Sequence, residues 1–235
     1  GGFSGAAEMC NNNGECRKRD ANVMCPSYRA TGDEQHVTRG RANSLRLALS
    51  GQLGEDALTS DELAATMELC IGCKGCKREC PTGIDMARMK TEFLYQRQKT
   101  RNISLRERLI SDLPRYAPWA TRIGPVLNLR DKIPGLARLS ETVTGFSARR
   151  KLPQWRRDAF RAPTTSGTGQ AGEVVLFADT FNSWFEPENA RAAQRVLEAA
   201  GYKVHAAQPG NGKRSICCGR TYLAAGQIDE ARKEA

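Results

Sequence analysis

At 235 residues the chain has room for one large domain or two small ones. Only 40% of it is hydrophobic, and its apolar runs, such as 174–178, fall far short of the roughly 18–20 residues a spanning helix needs, which excludes a transmembrane helix. The net charge of +10 is uneven: residues 86–165 hold 18 Lys and Arg against 6 Asp and Glu, which points to a solvated surface or an acidic or membrane partner.

The first residues, Gly1-Gly2-Phe3-Ser4-Gly5, lack a basic stretch and an apolar stretch, so no signal peptide is expected. The last residues, 229–235, read as the middle of an amphipathic helix, and the expectation is a piece of a longer protein. Residues 10–28 are polar, Asn-rich and cysteine-bearing, as a loop wrapped around a bound group would be. A helix is expected over 39–50, with Leu45 and Leu49 on one face and Gly51 to stop it. Thr59-Ser60-Asp61-Glu62 has the capping-box pattern, with Thr59 as cap, and opens a helix that runs into Cys70. After Pro81 another helix carries Met86, Met89 and Phe93 at helical spacing, as core packing.

From 101 to 161 short helices are expected, broken at Pro114, Pro118, Pro125, Pro134 and Pro153. Residues 164–170, rich in Thr, Ser and Gly, read as a flexible linker. Beyond it come a buried strand at 174–178, a helix at 188–200 and a strand at 202–206, a βαβ unit in a parallel sheet. The expected layout is therefore a helical cysteine-bearing domain over 1–100, a basic arm over 101–165, a linker over 166–172 and an α/β part over 173–235.

Nine cysteines, an odd number, fall in three groups: Cys10, Cys16 and Cys25; Cys70, Cys73, Cys76 and Cys80; and Cys217 with Cys218. A secreted disulfide scaffold spreads an even number through a short chain, so metal-bound thiolates in a reducing, cytoplasmic compartment fit better. The basic excess adds a peripheral contact at the inner face of a membrane as a further expectation. The run Cys70-x2-Cys73-x2-Cys76-x3-Cys80-Pro81 is the ferredoxin-type pattern, in which three thiolates wrap one cluster and the fourth, before proline, turns to a second. Gly72 and Gly75 precede ligands, where the backbone turns tightly, and Pro81 is placed to begin a helix. Zinc, the rival, uses two Cys-x-x-Cys pairs rather than this spacing.

A partner motif is present. Cys10-x2-Asn13-x2-Cys16 is followed, after eight intervening residues, by Cys25-Pro26, with Asn13 where a second cysteine would stand. Crossed ligation then assigns Cys25, Cys70, Cys73 and Cys76 to a [4Fe–4S] cluster. Cys10, Cys16 and Cys80 are left for a second site with three thiolates. That site suits a [3Fe–4S] cluster, or a [4Fe–4S] cluster whose labile iron takes Asn13, Asp20 or His36; emptiness is the other alternative.

These two loops resemble the helical ferredoxin domain of the succinate dehydrogenase iron–sulfur subunit. Cys16-Arg17-Lys18, residues 24–31 and 36–43, Phe177-Ala178-Asp179-Thr180-Phe181, Phe185-Glu186-Pro187 and Cys217-Cys218-Gly219-Arg220 are similar to the iron–sulfur C-terminal half of FAD-linked D-2-hydroxyacid dehydrogenases. The resemblance implies a mainly α fold, an α-helical ferredoxin-like two-cluster domain followed by a partial α/β Cys-Cys-Gly domain. It implies oxidation of D-2-hydroxyglutarate or D-lactate by an FAD domain elsewhere in the parent or in a flavoprotein subunit. The clusters would pass electrons to an acceptor, a quinone or a carrier protein. No flavin-binding or substrate-binding motif lies in these residues.

Cys217-Cys218-Gly219 resembles half of the cysteine-rich domain of heterodisulfide reductase and glycolate oxidase iron–sulfur subunits; no later cysteine completes it, and the pair reads equally as a loop former. His36, Arg39 and Arg41 read either as positive charge and donors that raise a cluster's potential or supply the labile-iron ligand, or as ordinary helix-start and surface contacts. His205, Asp179 and Glu186 read as structural. Two rivals remain at this stage: a separate iron–sulfur subunit of a glycerol-3-phosphate or glycolate dehydrogenase, and a nucleic-acid-binding protein with a structural cluster, the latter resting only on the basic arm.

Overall fold

The computed structural model describes residues 1–20, 23–161, 164–207 and 216–235. They are mainly helical, with one three-stranded sheet. Two compact units are present: Gly1–Ile103 with Leu223–Ile228, and Ser104–Tyr222 with Asp229–Ala235.

The first unit contains α1 (Gly2–Glu8), α2 (Pro26–Thr31), α3 (Thr38–Leu49), α4 (Asp61–Glu68), α5 (Gly75–Glu79) and α6 (Met86–Gln98). The buried face of α3 follows the 3.6-residue period through Thr38, Arg41, Ala42, Leu45 and Ala48, and that of α6 through Met86, Met89 and Phe93. Val37, Leu45, Ile84 and Phe93 are wholly inaccessible at the centre of this core, where Cys16, Cys25 and Cys76 are also buried. The cap of α4 falls one residue later than the sequence suggests: Ser60 Oγ accepts from Leu63 N at 3.1 Å, while Thr59 closes the 3-10 turn Ala57–Thr59. Ser60 takes the extended backbone a cap needs, and serine caps at least as well as threonine.

The two Cys-Pro steps differ. Pro26 begins α2, whereas Pro81 lies in a turn and the following helix starts only at Met86, capped by Asp85 Oδ1 accepting from Arg88 N at 3.0 Å. The expectation that Pro81 opens a helix is corrected: Gly83 N bonds Cys80 O at 2.8 Å and closes a turn first.

The second unit begins with α7 (Leu105–Ser111), which has a complete capping box of Ser104 and Glu107. The expected proline breaks are largely starts. Pro114 lies in the first turn of α8 (Leu113–Ala120) and Pro125 in that of α9 (Gly124–Leu127), where the missing N–H costs nothing. Pro118 lies inside α8, and α10 (Leu136–Thr144) follows Pro134.

The sheet has the order β1-β3-β2, with β1 (Thr165–Ser166), β2 (Gly172–Leu176) and β3 (Tyr202–Ala206). β2 and β3 are parallel, with Val174 opposite Val204, and are joined through α11 (Thr180–Trp184) and α12 (Pro187–Ala199), the βαβ unit expected. β1 adds an antiparallel edge from the stretch that reads as a linker, pairing Thr165 with His205. β2 is not buried on both faces: Val175 is 70% exposed, opposite the side that Val174 takes. α13 (Arg220–Ala224) and α14 (Ile228–Glu234) end the described chain. Among the described residues no helix is long and apolar enough to cross a membrane.

Close approach constrains Gly40 of the first unit. A Cβ on Gly40 would lie 2.0 Å from Glu34 O, so α3 can pack against the turn before it only with glycine there. Gly5 in α1 has nothing within 4 Å. Gly40→Ala is therefore expected to destabilise the first unit by about 1–3 kcal/mol in chemical denaturation, while Gly5→Ala is expected to be neutral or stabilising by a few tenths of a kcal/mol. Equal stabilities for the two variants would contradict this packing.

Candidate cluster sites

The loop from Cys70 to Cys80 is built from tight turns. Gly72 and Lys74 both take left-handed backbone, at φ 66° and 60°, which lets the chain coil back between Cys70 and Cys76 before α5 begins. Cys76 lies in α5, buried, and its Sγ accepts from Met86 N at 3.4 Å.

The remote cysteine is brought here by a carboxylate. Glu79 Oε1 accepts from Val23 N at 3.0 Å and Oε2 from Met24 N at 2.8 Å, a two-pronged grip on the backbone just before Cys25. Gly75 leaves room for the same segment, since a Cβ there would meet Met24 Cα at 3.4 Å. Cys25 then turns through a left-handed conformation, φ 52°, into Pro26. Its sulfur receives Thr38 N at 3.0 Å and lies 2.8 Å from Thr38 Oγ1. The sequence reading missed Glu79 and Thr38; the only signal for Glu79 was an acid placed between two cysteines.

As a result Cys25, Cys70, Cys73 and Cys76 line one cavity, together with Thr38, Arg41 and Met86. Its non-atom space is about 330 Å³, counting the part open to solvent. The thiols surround this space rather than converge on a point; among the described residues no three Cys, His, Asp or Glu side chains close around a single ion. Burial pushes the Cys25 and Cys76 thiols up, against hydrogen bonds from Thr38 and Met86 respectively.

Arg41 is 2% exposed and donates from Nε to Thr66 O at 2.9 Å and from an Nη to Ser27 Oγ at 3.1 Å. Among the described residues no carboxylate pairs with it, and the groups that favour its charge are Cys70, Cys25 and Cys76. A buried cation without an anion is costly, so this pocket calls for negative charge at the thiols, as a thiolate-held cluster supplies. The donor set and its charge environment fit an iron–sulfur cluster.

The remaining cysteines of the first unit form a less closed set. Cys16, the buried residue of the turn Glu15–Arg17, has Cys10 and Cys25 as thiol neighbours, and burial pushes its pKa up to about 11 against a hydrogen bond from Arg39 N. The loop carrying Cys10 is held by Arg46, which donates to Cys10 O at 2.9 Å, and by Asn43 Nδ2 donating to Asn12 Oδ1 at 3.0 Å. Cys80 is half-buried. Burial raises its pKa, but the Thr82 hydroxyl, at 3.2 Å, and the N–H groups of Ile84, Thr82 and Gly83 outweigh burial and leave it lowered, a nest for a thiolate.

The other candidates have contacts of their own. Asn13 is exposed and caps its own loop, Oδ1 accepting from Glu15 N at 2.9 Å. His36 Nδ1 lies 3.0 Å from Thr31 Oγ1. Asp20 is exposed and its carbonyl accepts from Arg29. Cys217 is buried in the second unit beside Thr180 and Gly219 N, and its neighbour Cys218 is exposed.

Comparison with known proteins gives the class first: residues 6–84, which include Cys10, Cys16, Cys25, Cys70, Cys73, Cys76 and Cys80, match the 4Fe-4S dicluster domain. 4Fe–4S clusters are the cofactors of that domain. Over 250 residues the chain is 27% identical to a D-2-hydroxyglutarate dehydrogenase of Pantoea ananatis, covering 86% of this chain and 24% of that protein. It is 26% identical to the D-2-hydroxyglutarate dehydrogenase of Pseudomonas putida, over 88% of this chain and 25% of that one. The glycolate oxidase iron-sulfur subunit of Escherichia coli is 27% identical over 84% of this chain and 44% of the subunit. The chain thus spans about a quarter of the length of the dehydrogenases it matches. No solved structure matches it.

In metal-free, reduced protein the two kinds of thiol are expected to alkylate differently. At pH 8, Cys80, half-exposed and with its thiolate stabilised, should react with iodoacetamide well before Cys16, whose pKa near 11 leaves it protonated and which is buried. Peptide mapping against time reads this order; the reverse order would contradict the environments described.

Proposed function

We propose that this chain is the electron-transfer part of an FAD-dependent D-2-hydroxyacid dehydrogenase acting on D-2-hydroxyglutarate or D-lactate. The observation that supports this reading most is the single cavity shared by Cys25 and by Cys70, Cys73 and Cys76, thiols from two motifs beside an uncompensated buried arginine. The names of the relatives supply D-2-hydroxyglutarate, and the motif resemblance adds D-lactate. In this reading residues 1–100 form the cluster domain. Cys25, Cys70, Cys73 and Cys76 hold a [4Fe–4S] cluster, and Cys10, Cys16 and Cys80 hold a second, a [3Fe–4S] cluster or a [4Fe–4S] cluster with a labile iron. When bound, such clusters carry one electron at a time.

The chain's own residues prepare the sites. Glu79 docks the Cys25 segment, Thr38 orients the Cys25 sulfur, and the N–H groups of residues 82–84 stabilise the Cys80 thiolate. The hydride chemistry belongs to a flavin domain of the same parent or to a flavoprotein subunit.

The acceptor in this proposal is a quinone or a carrier protein reached at the inner, cytoplasmic face of a membrane. The surface of the second unit supports peripheral contact: Trp119, Ile123, Val126, Leu139 and Val143 are each more than half exposed. Arg122, whose guanidinium lies 4.3 Å from the centroid of the Trp119 ring, is an exposed cation beside them, and Lys132 and Arg138 are exposed nearby. The match to the glycolate oxidase iron-sulfur subunit favours one second reading, a separate subunit rather than a fused half. The mass of the native polypeptide that contains this segment separates the two.

Anaerobically reconstituted protein should be brown and hold roughly seven or eight irons per chain with both sites filled. Stoichiometric zinc without visible absorption would overturn the proposal. Cys25→Ser and Cys73→Ser should remove the same reduced four-iron paramagnetic resonance signal, and Cys80→Ser should spare it; loss on Cys80→Ser with retention on Cys25→Ser means the ligation is local. The segment by itself should not reduce a dye with D-2-hydroxyglutarate, while the full parent enzyme should. Substrate-dependent reduction by the segment would place the catalytic centre within it.

A further inference from the structure

Among the described residues two cations without an ion pair lie at the four-thiol site, Arg41 in the cavity wall and Lys90 outside it against the Cys70 carbonyl. Arg41 lines it and is anchored from both sides, to Thr66 O and to Ser27 Oγ, so its guanidinium is fixed rather than free to swing to solvent. Lys90, on α6, donates from Nζ to Cys70 O at 2.7 Å and to Glu68 O at 3.1 Å, which holds an ammonium against the carbonyl of a cluster-loop cysteine. Both bonds of Lys90 go to main-chain oxygens; neither cation forms an ion pair within 4 Å among the described residues, although the Glu68 carboxylate, like Cys70, favours the Lys90 charge at longer range. The other cations at the loop are differently placed: Lys74, which also lines the cavity, and Lys77 are exposed and share Asp85.

We propose that Arg41 and Lys90 set the reduction potential of the Cys25–Cys70–Cys73–Cys76 cluster, holding it more positive than the four thiolates would give without them. This rests on the ligation proposed above. Adding one electron puts one more negative charge on a group that is already anionic, and in a buried site fixed positive charge stabilises the added electron far more than it does in water. The electron arrives from the reduced flavin and leaves to the acceptor, so the two residues alter its equilibrium without being consumed or touching the irons. A structural role alone, fastening α3 and α6 to the loop, would leave the potential where it is.

The test is a redox titration of the reconstituted protein, followed by paramagnetic resonance of the reduced four-iron cluster. Arg41→Gln and Lys90→Gln, each retaining a donor but losing the charge, should each shift the one-electron equilibrium against reduction by on the order of tenfold, about 59 mV more negative. Arg41→Lys and Lys90→Arg should return most of the shift. The iron count reports separately on ligation: wild-type protein that binds no cluster overturns the parent reading. Full iron with unchanged potential in both Gln variants overturns this proposal alone. Should Arg41→Gln fail to load iron, Lys90→Gln decides, since Lys90 is only half-buried and lies outside the cavity wall.

Discussion

The grip of the Glu79 carboxylate on the N–H groups of Val23 and Met24 is the contact on which the rest of the first unit depends. A charge-assisted pair of this kind is stronger than neutral hydrogen bonds and fixes direction as well as distance. It joins segments 55 residues apart and determines where Cys25 points. The left-handed turn at Cys25, the Thr38 bonds to its sulfur and the start of α2 at Pro26 all follow once that segment is seated. Without the grip, the second loop would face an incomplete ring of thiols.

Charge and cysteine chemistry are coupled in the same place. A buried guanidinium is tolerable only where anions are near, and buried thiols stay protonated unless something positive or a metal draws the proton off. Arg41 and the thiols that surround the cavity each supply what the other lacks. That mutual dependence makes the pocket a poor place for neutral side chains and a suitable one for an anionic group.

Much of this was legible in the sequence because cysteine spacing is a chemical constraint. Three-residue steps followed by Cys-Pro leave few alternatives, and an Asn at position 13 among them is conspicuous. The helices with Met86, Met89 and Phe93 and the βαβ unit were legible from period. What was not legible depended on long-range contact or on one-residue competition. Thr59 and Ser60 are both good caps, and only packing chooses between them. Pro81 could open a helix, but the Cys80–Gly83 turn intervenes. Thr165 and Ser166 carry no strand signal of their own and become one because β3 offers an edge. Glu79, one acid among many, acquires its role only when residues 23 and 24 arrive beside it.

The interleaving of the two cysteine segments also bears on how the protein is made. When a ribosome has released the first segment alone, Cys25 has only part of its wall, because the larger share of the cavity lining runs from Leu69 to Ala87. The pocket comes into being only when both stretches are out and the intervening helices have folded. Delivery of metal to it must therefore follow, rather than accompany, synthesis of the first loop, and a chain interrupted before residue 79 would expose early thiols with no enclosure to protect them from oxygen.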